Sequence, residues 1–206
     1  MARKIVAACV LSTIALPIFA QRSTPPPPPP QRGVPAPPPT AAPSPLRSPD
    51  VVFLPSDDAV VDAMLKLANV RKEDVVYDLG CGDGKIVIAA AKKYGARAVG
   101  IDIDPERIRE ATANAAAAGV SGHVTFVLGD IFDEAVPIKD ATVVTLFLLQ
   151  RLNKQLRPRL QRELAPGSRI VSNSFNMGDE WPPQRTEHVN NFTIYLWTIP
   201  KRAPGF

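Results

Sequence analysis

Three features of this 206-residue chain predict an α/β fold, a doubly wound, Rossmann-like seven-stranded sheet closed by an antiparallel C-terminal hairpin. Short β-branched runs alternate with helical patterns between Val75 and Phe175. A glycine-rich turn follows the first run and an acidic residue ends the second. Two further strand-like runs, separated by Asn190-Asn191, read as a hairpin. Alternating strands and helices pair in parallel, so the hairpin must sit at an edge of the sheet.

Ser56-Asp57-Asp58 starts a first helix, capped by Ser56, with Val60, Val61, Met64, Leu65 and Leu67 on its apolar side. Val75–Leu79 is the first strand, Ile86–Lys93 the next helix and Ala98–Asp102 the second strand. Asp104 before Pro105 is an N-cap with proline at the first helical position, opening a helix over Pro105–Ala118 that Gly119 stops. Val124–Leu128 is the third strand. Thr142–Leu148 is the fourth, apolar enough to be buried on both faces. Leucines at 148, 152, 156, 160 and 164 make Leu149–Glu163 helical, with an interruption expected at Pro158. Arg169–Phe175 is the fifth strand, and Thr186–Val189 with Phe192–Ile199 form the hairpin.

Ligands of such sheets bind beyond the carboxyl ends of the strands, and the first strand end carries the chemistry. Asp78-Leu79-Gly80-Cys81-Gly82-Asp83-Gly84-Lys85 leads into a helix, and the second strand ends at Asp102, placed to take two ribose hydroxyls. A bare tight turn is the alternative reading of the glycines. A dinucleotide fingerprint needs glycine at position 85, where this chain has Lys85. After the third strand, Asp130 is placed to accept from an adenine amine, with Ile131 or Phe132 on the ring; a turn aspartate is its alternative.

The acid-x-G-x-G-x-G pattern resembles motif I of the class I S-adenosylmethionine (SAM) methyltransferases. Val75–Ile88, Ala98–Pro105, Val143–Leu164 and Gly167–Pro182 together resemble the branch containing the mitochondrial lysine methyltransferases of the ATP synthase c-subunit. The resemblance covers most of Asp50–Pro200 and implies SAM as cofactor and a protein lysine as acceptor. Asp78 then suits the ammonium of the methionine moiety, and Asp78, Gly80, Cys81, Gly82, Gly84, Asp102 and Asp130 form the cofactor site. Phe147, Asn153, Asn173, Phe175 and Trp181 are the acceptor-pocket candidates, with Asp179 nearby and plain core packing the alternative for the aromatics. No catalytic base is readable. The fourth strand ends in Thr145-Leu146-Phe147-Leu148 and lacks the Asn/Asp-Pro-Pro-aromatic motif of adenine and glutamine methylation. A small-molecule methyltransferase and a non-catalytic SAM-binding module are the rival functions.

Charge separates the chain's parts. The formal charge is +4, and residues 1–49 hold Arg3, Lys4, Arg22, Arg32 and Arg47 with no acid, so the remainder sits at −1. That is no footprint for nucleic acid. The run Arg151, Lys154, Arg157, Arg159, Arg162 is either a dock for an acidic partner or, preferably, a solvated helix face. His123 and His188 are the only histidines, and no metal is expected.

The basic, apolar, small-residue order of Met1–Ala20 reads as a signal peptide cut before Gln21 and too short to span a membrane. Residues 21–49 hold more than half of the 23 prolines and read as a disordered, stiff linker. Residues 50–206 are the methyltransferase domain. The leader predicts export to a periplasmic or extracellular space; cytoplasmic residence, where SAM is made, is the alternative. No transmembrane span is expected after cleavage.

Overall fold

The computed structural model describes Leu46, Ser48, Pro49 and residues 54–200. The expected signal peptide, and all but those first three residues of the linker, lie outside this part.

The elements are α1 (Asp58–Leu67), β1 (Val75–Leu79), α2 (Lys85–Tyr94), β2 (Arg97–Asp102), α3 (Pro105–Ala117), β3 (Val124–Leu128), β4 (Val143–Leu146), α4 (Gln150–Glu163), β5 (Arg169–Asn173), β6 (Arg185–Val189) and β7 (Phe192–Thr198). They build a seven-stranded sheet in the order β3-β2-β1-β4-β5-β7-β6. The first five strands are mutually parallel, and β7 runs antiparallel to both β5 and β6. β1 lies between β2 and β4, so strand order reverses there and a crevice opens at its carboxyl end.

Strand alternation sends side chains to two cores. Val76, Val143 and Val171 pack under Met64 and Leu65 of α1 and Val87 of α2. Leu79, Leu146, Ile170 and Trp197 pack under Leu152, Leu156 and Leu160 of α4. α1 is capped by Asp57, whose Oδ1 accepts from the amides of Ala59 and Val60, rather than by the expected Ser56. Asp104 caps α3 as expected, accepting from Glu106 N at 2.8 Å.

α4 runs through Pro158 without the expected interruption. A helix-interior proline costs about 3 kcal/mol, but Leu152, Leu156 and Leu160 are buried beneath it and contribute about 1.5–3 kcal/mol each. Pro158 and Lys154, whose carbonyl loses its usual donor, both lie on the exposed side. β5 stops at Asn173 because Ser174 takes φ 65°, and Asn190 at φ 52° makes the hairpin turn.

Candidate active site

A cavity of about 360 Å³ opens at the carboxyl ends of β1, β2 and β4, within the range of small-molecule sites. Its two halves differ in chemistry. Asp78, Asp83, Lys85, Asp102, Asp104, Arg107 and Asp130 give the half over β1 to β3 its ionisable groups. The ends of β4 and β5 and the start of α4 supply Phe147, Leu148, Leu149, Leu152 and Phe175, all apolar.

The glycine loop is held by the second strand. Ile101 O accepts from the amides of Gly80 and Cys81 at 2.8 and 3.0 Å, and Asp102 Oδ2 accepts from Gly82 N at 2.8 Å. Asp102 Oδ1 accepts from Asp104 N at 3.0 Å. A carboxylate has about four acceptor sites, so capacity for two hydroxyls remains. Gly80 has φ +86°, and a Cβ there would sit 2.9 Å from Leu148 Cδ2; a side chain at this position would crowd the cavity.

Asp78 is almost wholly buried, with its Oδ1 accepting from the Thr145 hydroxyl at 2.7 Å. Burial pushes its pKa up to about 7; the nearby Asp102 and Asp83 charges push the same way, and the Thr145 bond opposes them. A ligand ammonium is the charge this carboxylate lacks, since no ion pair to Asp78 is made among the described residues. Because the folded-state pKa is raised, the ligand-free protein holds a proton there below pH 7 that an ammonium must displace. Affinity for S-adenosylhomocysteine is therefore expected to fall by up to roughly tenfold per pH unit below pH 7. Calorimetry between pH 5.5 and 8 checks this, and Asp78→Asn should flatten the profile.

The predicted cofactor residues divide. Asp78, Gly80, Cys81, Asp102 and Asp130 line the cavity; Gly82 and Gly84 do not. The Gly82 amide is spent on Asp102. A Cβ on Gly84 would meet the Phe126 ring at 2.8 Å and Ala111 Cβ at 3.0 Å, so this glycine serves the packing of α2 against α3 and β3. Burial pushes the Cys81 thiol up, which leaves it neutral and unsuited to nucleophilic work. Asp130 lines the cavity and also accepts from Phe132 N at 2.9 Å, so the turn role is present too. Of the two ring candidates, Ile131 reaches the cavity and Phe132 does not line it.

The acceptor candidates divide as well. Phe147 and Phe175 line the cavity, with Phe147 meeting Phe192 edge-on at 6.4 Å. Asn153, Asn173 and Trp181 do not line it. Asn153 is buried and donates to Ser172 Oγ and Phe175 O, bracing the end of β5. Asn173 is buried with its Oδ1 accepting from Ser174. Trp181 is carried away because the chain after Phe175 turns back along α4, tied by Arg157 to Met177 O and Glu180. There its ring lies 6.0 Å from that of Trp197, whose Nε1 donates to Trp181 O. Asp179 is exposed and likewise off the cavity.

The lining residues that sequence reasoning did not assign to the site include Lys85, Arg107, Ser56 and Leu54. Lys85 and Arg107 stand in the first turns of α2 and α3, directly after the glycine loop and the end of β2, and Lys85 Nζ donates to Ser56 O at 2.8 Å. Ser56 and Leu54 reach the rim from the segment before α1, which no local pattern could reveal. Among the described residues no cluster of His, Cys, Asp or Glu is arranged to hold a metal, and no helix is long and apolar enough to cross a membrane.

A family model described as the ANTKMT methyltransferase domain matches residues 78–185. A protein-lysine N-methyltransferase of Saccharolobus islandicus is 46% identical over 156 residues, covering 73% of this chain and 95% of that protein. The human lysine N-methyltransferase of the ATP synthase c-subunit is 32% identical over 74% of this chain, which spans only 63% of that protein's length. A Salinibacter ruber RNA methyltransferase solved with S-adenosyl-L-homocysteine superposes with a TM-score of 0.70 and 50% identity, covering 73% of this chain and 97% of that one. The buried carboxylate, the glycine cradle and the acid ending β2 all fit such a cofactor. The chain belongs to the ANTKMT methyltransferase domain family and is a SAM-dependent methyltransferase.

Proposed function

We propose that the acceptor is a lysine side chain of a protein. The observation that carries this reading is the split cavity: every side chain from the β4 and β5 ends is apolar, two of them aromatic, and all ionisable groups stand on the other side. Bound SAM supplies a methyl group on a positively charged sulfonium. Asp102 and Asp78 would hold its ribose and its ammonium, which would leave the methyl to the apolar half. Such alignment contributes roughly 7–11 kcal/mol. A lysine must arrive neutral, and the ordinary value for its ammonium in water is a pKa of about 10.4. Burial between Phe147 and Phe175 lowers that value by desolvation, and the aromatic faces hold the amine.

The 46%-identical relative is a protein-lysine methyltransferase, which supports the same acceptor. The 50%-identical structural relative is an RNA methyltransferase, but residues 50–206 carry a net charge of −1 and lack the basic excess expected of an RNA reader. The test incubates the full chain with methyl-labelled SAM and a cell extract, then separates protein from RNA. Label on lysine Nζ after proteolysis is the expected result. Label confined to RNA or to small molecules overturns the reading.

Export by the leader is also proposed, from the order of residues in Met1–Ala20 alone. Protein recovered from a native-like host is expected to begin at Gln21. An intact Met1 on cytoplasmic protein would return the enzyme to the compartment where SAM is made.

A further inference from the structure

Arg159 departs from the solvated face expected of its basic run. It is 5% exposed, a rare state for arginine. Its two terminal nitrogens are committed to a single loop, the one between β3 and β4. Nη1 donates to Ile131 O at 2.7 Å and to Asp133 O at 2.9 Å, and Nη2 donates to Val136 O. Nε donates to Glu163 Oε1 at 3.1 Å, which supplies the countercharge one turn along α4. The rest of the run behaves differently: Arg157, Arg162 and Lys154 pair with acids at the surface.

The gripped loop carries Asp130 and Ile131, which with Gly129 are the residues by which the segment after β3 lines the cavity. Neither is in a helix or strand, so no backbone ladder holds their geometry. Ile131 O is bonded directly by Arg159, one residue from Asp130. Arg159 itself is not among the residues lining the cavity. We propose that Arg159 is a positioning residue for cofactor selectivity: it fixes the β3–β4 loop so that Asp130 meets the exocyclic amine of adenine and Ile131 its ring. The inference rests on Asp130 being the base-reading residue of the SAM site. An aminopurine is then favoured over an oxopurine, whose carbonyl would face the carboxylate.

The experiment compares the affinity of the full chain for S-adenosylhomocysteine and for S-inosylhomocysteine, which differ at that amine. Wild-type protein is expected to prefer the adenosyl compound by about tenfold or more. Asp130→Ala should bring the ratio near one; an unchanged ratio in that variant shows that Asp130 does not read the base and overturns the premise. Arg159→Met removes every donor, and Arg159→Lys keeps charge and reach but loses the fork. In whichever of the two folds, the ratio should fall to within about threefold of unity, mainly by loss of adenosyl affinity. A purely structural role would lower thermal stability while leaving the ratio at its wild-type value. That result, seen in Arg159→Lys alone, overturns the proposal.

Discussion

Replacing Asp102 with alanine is expected to weaken SAM binding on the order of a hundredfold while the protein stays folded. Two ribose hydroxyls lose a charged acceptor, and hydrogen bonds to charged groups are worth about 1.5–3 kcal/mol each. The same carboxylate accepts from the amides of Gly82 and Asp104, so its loss also loosens the glycine loop. Asp102 is only half-buried, which lets water take over those amides and limits the cost in stability. Calorimetry with SAM and S-adenosylhomocysteine measures the effect. Unchanged affinity in a folded variant would remove Asp102 from the cofactor site.

Gly84→Ala should do the reverse, lowering stability by about 2–5 kcal/mol with little change in cofactor affinity. Its φ of +80° costs an L residue roughly 1–2 kcal/mol. The new Cβ also presses against the Phe126 ring at 2.8 Å and Ala111 at 3.0 Å, and overpacking of this kind costs about 1–3 kcal/mol. Denaturant unfolding reads the loss. Phe126 and Ala111 lie outside the cavity lining, so the folded variant is expected to bind SAM within about threefold of wild type. A large loss of affinity without loss of stability would put Gly84 back at the ligand.

These two substitutions bear on how far the site was legible. Asp78, Gly80 and Asp102 could be read because a parallel strand ending in a glycine turn, followed by a second strand ending in an acid, leaves those groups one place to go. The parallel strands and the hairpin at an edge followed from the same alternation, with strand bounds differing by a few residues at most, whereas the strand order came from the structure. Gly84 was read as a ligand residue because spacing does not say what a glycine makes room for; here it is Phe126, some forty positions later in the chain.

Trp181 shows a second limit. Its neighbour Trp197 belongs to β7, and only the return of the chain after Gly178, at φ +87°, decides which end of the sheet the indole reaches. Arg159 was the reverse case, since a signal was present. It lies three residues after Leu156 and one before Leu160, on the inward side of a 3.6-residue period. Counting it with the other basic residues hid that position.

A crystal structure of the full chain with S-adenosylhomocysteine tests the assignment of the split cavity most directly. The ribose hydroxyls are expected on Asp102, the ammonium on Asp78, the adenine between Asp130 and Ile131, and the thioether sulfur facing Phe147 and Phe175. A ligand bound in the opposite direction, or its sulfur turned away from the apolar half, would contradict it.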